Sequence, residues 1–226
     1  MQLSLWASSK HLVYSYIVLY VFRVIRYPKH FLYQPSTINH QLSTINYQPS
    51  TMKNFCAFLR GVNVKGTNMK MADVCKVFSD AGMNNVSSVL ASGNILFQSD
   101  KDVVDLKEIL EKAMSEHFNY EAFLFIKNEK EINEIFANNP FPAIENFHNY
   151  IFLGTEKVEE TLLEEFEKAT KEKDEKGKII NNVFYWQVPK GKTLNSTFGK
   201  VLGKKSLKDK MTSRNINTFE KIIKKF

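Results

Sequence analysis

Cysteine is nearly absent: Cys56 and Cys75 are the two thiols in 226 residues. Neither stands in a C-x-x-C pair, and His117 and His148 have no partner at metal-ligand spacing. A disulfide scaffold is excluded, neither a metal nor a cofactor is expected, and two reduced thiols fit a cytoplasmic protein. Long apolar runs are missing as well. Leu12 to Phe22 covers about half of the ~20 residues that a membrane-spanning helix needs, so no membrane partner is expected. As a secretory signal the run lacks a small-residue cleavage site, and Arg23 and Arg26 follow at once. With 43% hydrophobic and 24% charged residues, the composition is that of a globular protein. Its length allows one large domain or two small ones.

Residues 1–51 lack aspartate, glutamate and glycine altogether. Tyr33 to Thr51 repeats a seven-residue unit, YQPSTIN, HQLSTIN, YQPST. A coiled coil needs two apolar positions per heptad, whereas here only Ile38 and Ile45 recur, and Pro35 and Pro49 break any helix. Such a polar tract buries too little apolar surface to fold. The segment reads as a non-globular extension, with translation expected to start at Met52 and the upstream codons read through as protein. A short interfacial anchor carrying Lys10, Arg23, Arg26 and Lys29 is the rival reading.

From Met52 onward, apolar spacing sets the elements. Phe55 to Leu59 suits a strand, and RGVNVKGTNMK (60–70) a glycine-bearing loop. Met71, Val74, Cys75 and Phe78 recur at helical spacing, ending near Gly82. Val86–Leu90 and Ile95–Ser99 are strand-like runs joined by Ala91-Ser92-Gly93-Asn94, a hairpin signal. Leu106, Ile109, Leu110, Ala113 and Met114 stripe a second helix led by Asp100 and Asp102, and Ala122–Ile126 is a fourth strand. The order β-α-β-β-α-β is ferredoxin-like. With sheet order 4-1-3-2, the loop after strand one and the turn after strand two lie at the same end of the sheet, about two strand spacings apart.

Beyond Lys127 a second α+β unit is expected, over residues 128–226. Asn128 with Glu131 makes a capping pair, Tyr150–Leu153 a strand, and Val158, Leu162, Phe166 and Ala169 a helix. Lys171–Lys178 reads as a charged turn, Val183–Val188 as a strand stopped by Pro189. A last helix carries Ile216, Phe219, Ile222, Ile223 and Phe226, starting near Thr212 or Ser213.

Two polar segments are candidates for chemistry. The loop Arg60-Gly61-Val62-Asn63-Val64-Lys65-Gly66 has the glycine spacing of a P-loop but lacks the Lys-Ser/Thr pair that holds magnesium and the outer phosphates. What remains is a backbone that can approach a ligand, beside a helix N-terminus and the cations Arg60, Lys65 and Lys70. The turn Ser92-Gly93-Asn94 adds a hydroxyl and an amide. The plainer reading of both is glycines that turn the chain.

Charge is uneven. Lys190–Phe226 holds 11 basic residues against Asp209 and Glu220, while residues 52–189 hold 16 basic and 22 acidic. A basic tail can meet nucleic acid. Ten lysines to one arginine favour phosphate attraction over base reading, and the same charges could instead complement the acidic body.

R-G-V-N-V-K-G at 60–66, Met69-Lys70-Met71, S-G-N at 92–94 and T-S-R-N-I-N-T at 212–218 together resemble the motifs of the domain of unknown function 1697 family, a mainly bacterial one. The resemblance spans residues 52–226 and implies a ferredoxin-like N-terminal unit plus further α+β elements, but no activity. Ile216 departs from the family's tryptophan, and Lys65-Gly66 from its paired glycines. The resemblance also draws in Arg214, Asn215, Asn217 and Thr218, with Thr212 before them, at the start of the final helix. They form either a third wall of the cleft, with Arg214 holding a carboxylate or phosphate, or a helix cap with its arginine in a structural salt bridge.

Three functions follow as expectations. The first is a module binding an anionic small molecule or nucleotide between Arg60, Gly61, Asn63, Lys65, Gly66, Lys70, Ser92, Gly93, Asn94, Thr212, Arg214 and Asn215. The second is an enzyme in the same cleft, although no Ser-His-Asp set or carboxylate pair is evident and catalytic residues stay unassigned. The third is a nucleic-acid-associated protein using the basic C-terminal face.

Overall fold

The computed structural model describes residues 51–62, 69–207 and 209–226. Asn63, Lys65 and Gly66 of the expected site therefore lie outside the described residues, as does the N-terminal extension.

Strand β1 (Lys53–Arg60) is buried on both faces from Phe55 to Leu59. Its alternation sends Phe55, Ala57 and Leu59 one way and Cys56 and Phe58 the other, into two separate apolar clusters. A strand buried on both sides needs a layer on each. On one side lie α1 (Met71–Asp80) and α2 (Val103–Phe118), whose Val74, Phe78, Leu106 and Leu110 pack under the sheet. With β2 (Asn84–Ser88), β3 (Asn94–Ser99) and β4 (Phe123–Asn128), β1 forms an antiparallel sheet of order β2-β3-β1-β4. This is the 4-1-3-2 order expected of a ferredoxin-like unit. Asp102 caps α2 by accepting from Val104 and Asp105 N–H groups.

The second half repeats the plan. β5 (Phe147–Gly154), α4 (Val158–Lys168), β6 (Lys176–Ile180), β7 (Val183–Pro189), the short α5 (Thr197–Val201) and β8 (Met211–Asn215) give a second antiparallel sheet of order β6-β7-β5-β8. Each half then adds a helix after its fourth strand: α3 (Glu129–Ala137) and α6 (Ile216–Ile223). These two helices fill the space between the sheets, with Ile132, Ile135, Phe219 and Ile222 against Phe58 and Leu96 on one side and Ile151, Leu153 and Tyr185 on the other. α4 and α5 cover the far face of the second sheet. The result is five alternating layers of helix and sheet.

The repetition holds residue by residue. In the first half Asn54 pairs across the sheet with Gln98 and Phe55 with Phe97; in the second Asn149 pairs with Gln187 and Tyr150 with Trp186. Gln98 and Gln187 each donate from Nε2 to the asparagine Oδ1, at 2.8 and 2.9 Å. The ring pairs lie 5.6 and 5.5 Å apart. Asn128 and Asn215 occupy the same register position on the fourth strand, opposite Phe55 and Tyr150, and each caps the helix that follows. By that register Arg214 corresponds to Lys127, Asn94 to Val183, and Leu59 to Gly154.

Two expectations need correction. Thr212, Arg214 and Asn215 do not start the last helix: Met211–Asn215 is a strand at the sheet edge, pairing with β5, and the helix begins at Ile216 behind its cap Asn215. Four polar residues beside a helical stripe resemble a helix start, but backbone pairing with β5 decides. Lys176–Lys178, the end of the expected charged turn Lys171–Lys178, belongs instead to the opposite edge strand, Lys176–Ile180. Gly177 fits there because an added Cβ would stand 2.8 Å from Phe166. The chain between Pro189 and β8 contains α5, whose Phe198 is fully buried against Phe166, Phe184 and Trp186.

Among the described residues no helix is long and apolar enough to cross a membrane, and no three His, Cys, Asp or Glu side chains group to hold a metal ion.

Candidate functional site

Three chain segments meet where β1 ends. The Leu59 N–H donates to the Gly93 carbonyl at 2.8 Å, which ties the start of the Gly61 loop to the Ser92-Gly93-Asn94 turn. Gly93 has φ +72°, and an added Cβ would stand 2.8 Å from Val62 Cγ2 and 2.9 Å from Leu59 Cβ. A side chain is excluded by both conformation and space. Asn94, fully buried, donates from Nδ2 to the Val89 carbonyl at 2.9 Å and to Ser92 Oγ at 3.0 Å. The loop from Val89 to Gly93 is thus closed by the Val89 N–H bond to the Asn94 carbonyl, at 2.8 Å, and braced from within by the Asn94 amide.

The third segment enters through Arg214, which leaves the second sheet on its inner face, crosses to the first and makes every bond a guanidinium can. Nε donates to Asn94 Oδ1 at 2.6 Å. Nη1 donates to Thr212 Oγ1 at 2.7 Å and to the Ser213 carbonyl at 2.9 Å. Nη2 donates to the carbonyls of Leu59, Ser92 and Gly93, at 2.8, 3.0 and 3.3 Å. The Phe58 ring lies 5.8 Å from the guanidinium carbon. All six oxygens are uncharged. Arg60 approaches from the opposite side and donates from Nη1 to the Met211 carbonyl.

Electrostatics follow from this seating. Burial pushes the Arg214 guanidinium down to about 10, and the Arg60 charge pushes the same way. Burial also lowers Arg60, against the pull of Asp209. Among the described residues neither arginine forms a salt bridge, although several lysines pair with aspartate or glutamate around the surface. The salt bridge expected of a structural Arg214 is therefore replaced by neutral oxygens. Cys56, beneath the same sheet, is a buried thiol whose pKa burial raises.

Of the residues expected to line one cleft, Arg60, Gly61, Ser92, Gly93, Asn94, Thr212 and Arg214 are brought to this corner. Lys70 is exposed and opens α1. Asn215 turns elsewhere: its Oδ1 caps Asn217 and its Nδ2 stands 3.3 Å from His148 Nδ1. It lines a different hollow of about 370 Å3 with His148, Lys190 and Asn217. A second hollow, about 310 Å3, lies between α3, the end of β5 and the β6–β7 turn. Neither includes Arg60, Asn94 or Arg214. Sequence reading could not have found the carbonyls of Leu59 and Met211, since main-chain acceptors carry no residue signature. His148 was visible but lacked any partner until β5 and β8 paired.

Two of the basic C-terminal lysines meet acidic partners from the α4 region: Lys204 with Glu165 at 2.8 Å and Lys192 with Glu172 at 3.5 Å.

No curated protein matches the chain. Among solved structures it is similar to a conserved bacterial protein from Streptococcus pneumoniae, with TM-score 0.64 and 22% identity, covering 77% of this chain and 98% of that one. This likeness concerns the fold. The family described as protein of unknown function, DUF1697, matches residues 52–185, a span that holds the first two motifs of the corner but ends before Arg214. The chain belongs to the DUF1697 family.

Proposed function

We propose that the corner between β1, the Ser92–Asn94 turn and β8 binds an anionic small molecule, a phosphorylated metabolite or nucleotide. One observation carries this reading: the buried Arg214 charge is held by six neutral oxygens and no carboxylate. A guanidinium removed from water without a counter-ion leaves a positive field at the surface above it, stronger for the low local dielectric. Arg60 adds to that field and is half-buried.

Roles divide accordingly. Arg214, with all five donors engaged, sets the field and holds the walls together. Arg60 and Ser92 are the described groups of the corner able to reach a ligand, and Asn63, Lys65 and Gly66 belong to the loop that continues from Gly61. An arriving anion would relieve the mutual repulsion of the two arginines.

A thermal-shift panel of inorganic phosphate, pyrophosphate and nucleoside mono-, di- and triphosphates tests the proposal. A ligand at a hundredfold excess over its Kd stabilises by about 2.7 kcal/mol, a rise of several degrees in Tm. The expected result is such a rise for at least one anion and its loss in Arg60→Ala. No response from any of them at millimolar concentration would overturn the reading.

A further inference from the structure

The hollow of about 310 Å3 occupies, in the second half of the fold, the position that the Arg214 corner occupies in the first. The register makes the correspondence explicit. Leu59, whose carbonyl takes Arg214 Nη2, corresponds to Gly154; Ser92 and Gly93 correspond to Asn181 and Asn182; Arg214 corresponds to Lys127. Gly154, Asn181, Asn182 and Lys127 all line the hollow. In the first half the space is filled by the chain's own guanidinium. In the second, Lys127 turns instead to Glu131, its Nζ 2.8 Å from Oε1, and the space stays open.

The lining differs in one further respect. Glu131 and Glu134 face the hollow from α3, at positions where α6 carries Thr218 and Lys221. Lys127 pairs with Glu131, and the exposed Lys130 stands 3.8 Å from Glu134. The twin corner holds a planar, five-donor cation with neutral oxygens alone, four carbonyls, the Asn94 amide and the Thr212 hydroxyl. The hollow offers the same backbone positions, the amides of Asn181 and Asn182, and two carboxylates besides.

We propose that this hollow binds a guanidinium group, supplied either by a small guanidine compound or by an arginine side chain of a partner protein. The guanidinium sits between the β6–β7 turn and α3, where Arg214 sits between the β2–β3 loop and β8. This site is separate from the anion corner, and neither proposal depends on the other.

Backbone amide NMR of the full chain tests it. Methylguanidinium at millimolar concentration should shift the Gly154, Asn181 and Asn182 amides saturably, while tetramethylammonium at the same concentration should leave them in place. Lys127→Arg, which supplies a guanidinium from the twin position, should weaken the response at least tenfold and raise Tm. Glu134→Gln should weaken it several-fold, and serves as the test if Lys127→Arg does not fold. A stronger response to N-acetyl-arginine amide than to methylguanidinium indicates a protein arginine as occupant, and the reverse a small guanidine compound. Absence of shifts at these three amides, or shifts unchanged in both variants, would overturn the proposal.

Discussion

Arg214 Nε stands 2.6 Å from Asn94 Oδ1 across 120 residues of sequence, and this bond joins the two halves of the fold at one corner. The guanidinium comes from the edge strand of the second sheet, and its acceptors belong mainly to the first.

Loss of Arg214 should therefore weaken the whole chain rather than one loop. Arg214→Ala strands Asn94 Oδ1 and several carbonyls, and a buried acceptor left unsatisfied costs about 1–3 kcal/mol. Urea unfolding should show a loss of about 3 kcal/mol or more. Arg214→Lys keeps the charge but not the planar fork and should fall between the two. In a double-mutant cycle with Asn94→Ala, the pair should couple by about 1 kcal/mol or more; additive effects would mean that the bond contributes nothing of its own.

Gly93 and Gly191 share a positive φ, +72° and +81°, but only Gly93 is crowded. Gly191→Ala should cost about 1 kcal/mol, from conformation alone. Gly93→Ala must also displace Val62 and Leu59, and it should lower Tm markedly more. Equal shifts in a melting comparison would show that the close approach of loop and turn is not tight.

How much of this was legible in the residues depends on where the information sits. The first sheet was, because Phe55 to Leu59 is a short unbroken apolar run and because Met71, Val74 and Phe78 keep helical spacing. Sheet order then put the Gly61 loop beside the Gly93 turn, and the Leu59–Gly93 hydrogen bond is the physical form of that inference. The capping pair Asn128–Glu131 was also readable and forms reciprocally. β8 was not: Met-Thr-Ser-Arg-Asn has no strand-like apolar alternation, and its partner β5 lies about 60 residues upstream. The internal repeat was hidden for a related reason. Its shared features, Asn54–Gln98 and Asn149–Gln187, are cross-strand pairs, which become a pattern only once the register is known.

Alkaline stability should respond to Tyr120. Burial pushes its hydroxyl up to about 12, with Glu111 adding to the effect, and the hydroxyl has no hydrogen-bond partner among the described residues. A pKa raised above the unfolded value of about 10 means that the unfolded chain loses its proton first. The stability from this group is complete below pH 10 and declines as pH rises from there toward 12. Tyr120→Phe should flatten that decline and match or exceed the parent at pH 7, since it removes an unsatisfied hydroxyl. Tyr185 differs: its hydroxyl donates to the Ile135 carbonyl at 2.8 Å, so Tyr185→Phe should cost about 1 kcal/mol.

The sequence contains four arginines, Arg23, Arg26, Arg60 and Arg214, so a guanidinium-selective NMR spectrum of arginine-labelled protein is simple enough to read residue by residue. Titrating pyrophosphate or a nucleoside triphosphate while following the Arg60 and Arg214 signals tests the two-arginine corner directly. The account predicts a saturable shift of Arg60, with the Arg214 Nε–H still bonded to Asn94 and protected from exchange throughout. A motionless Arg60 signal, or a shift no larger than equal ionic strength of sodium chloride produces, would contradict it.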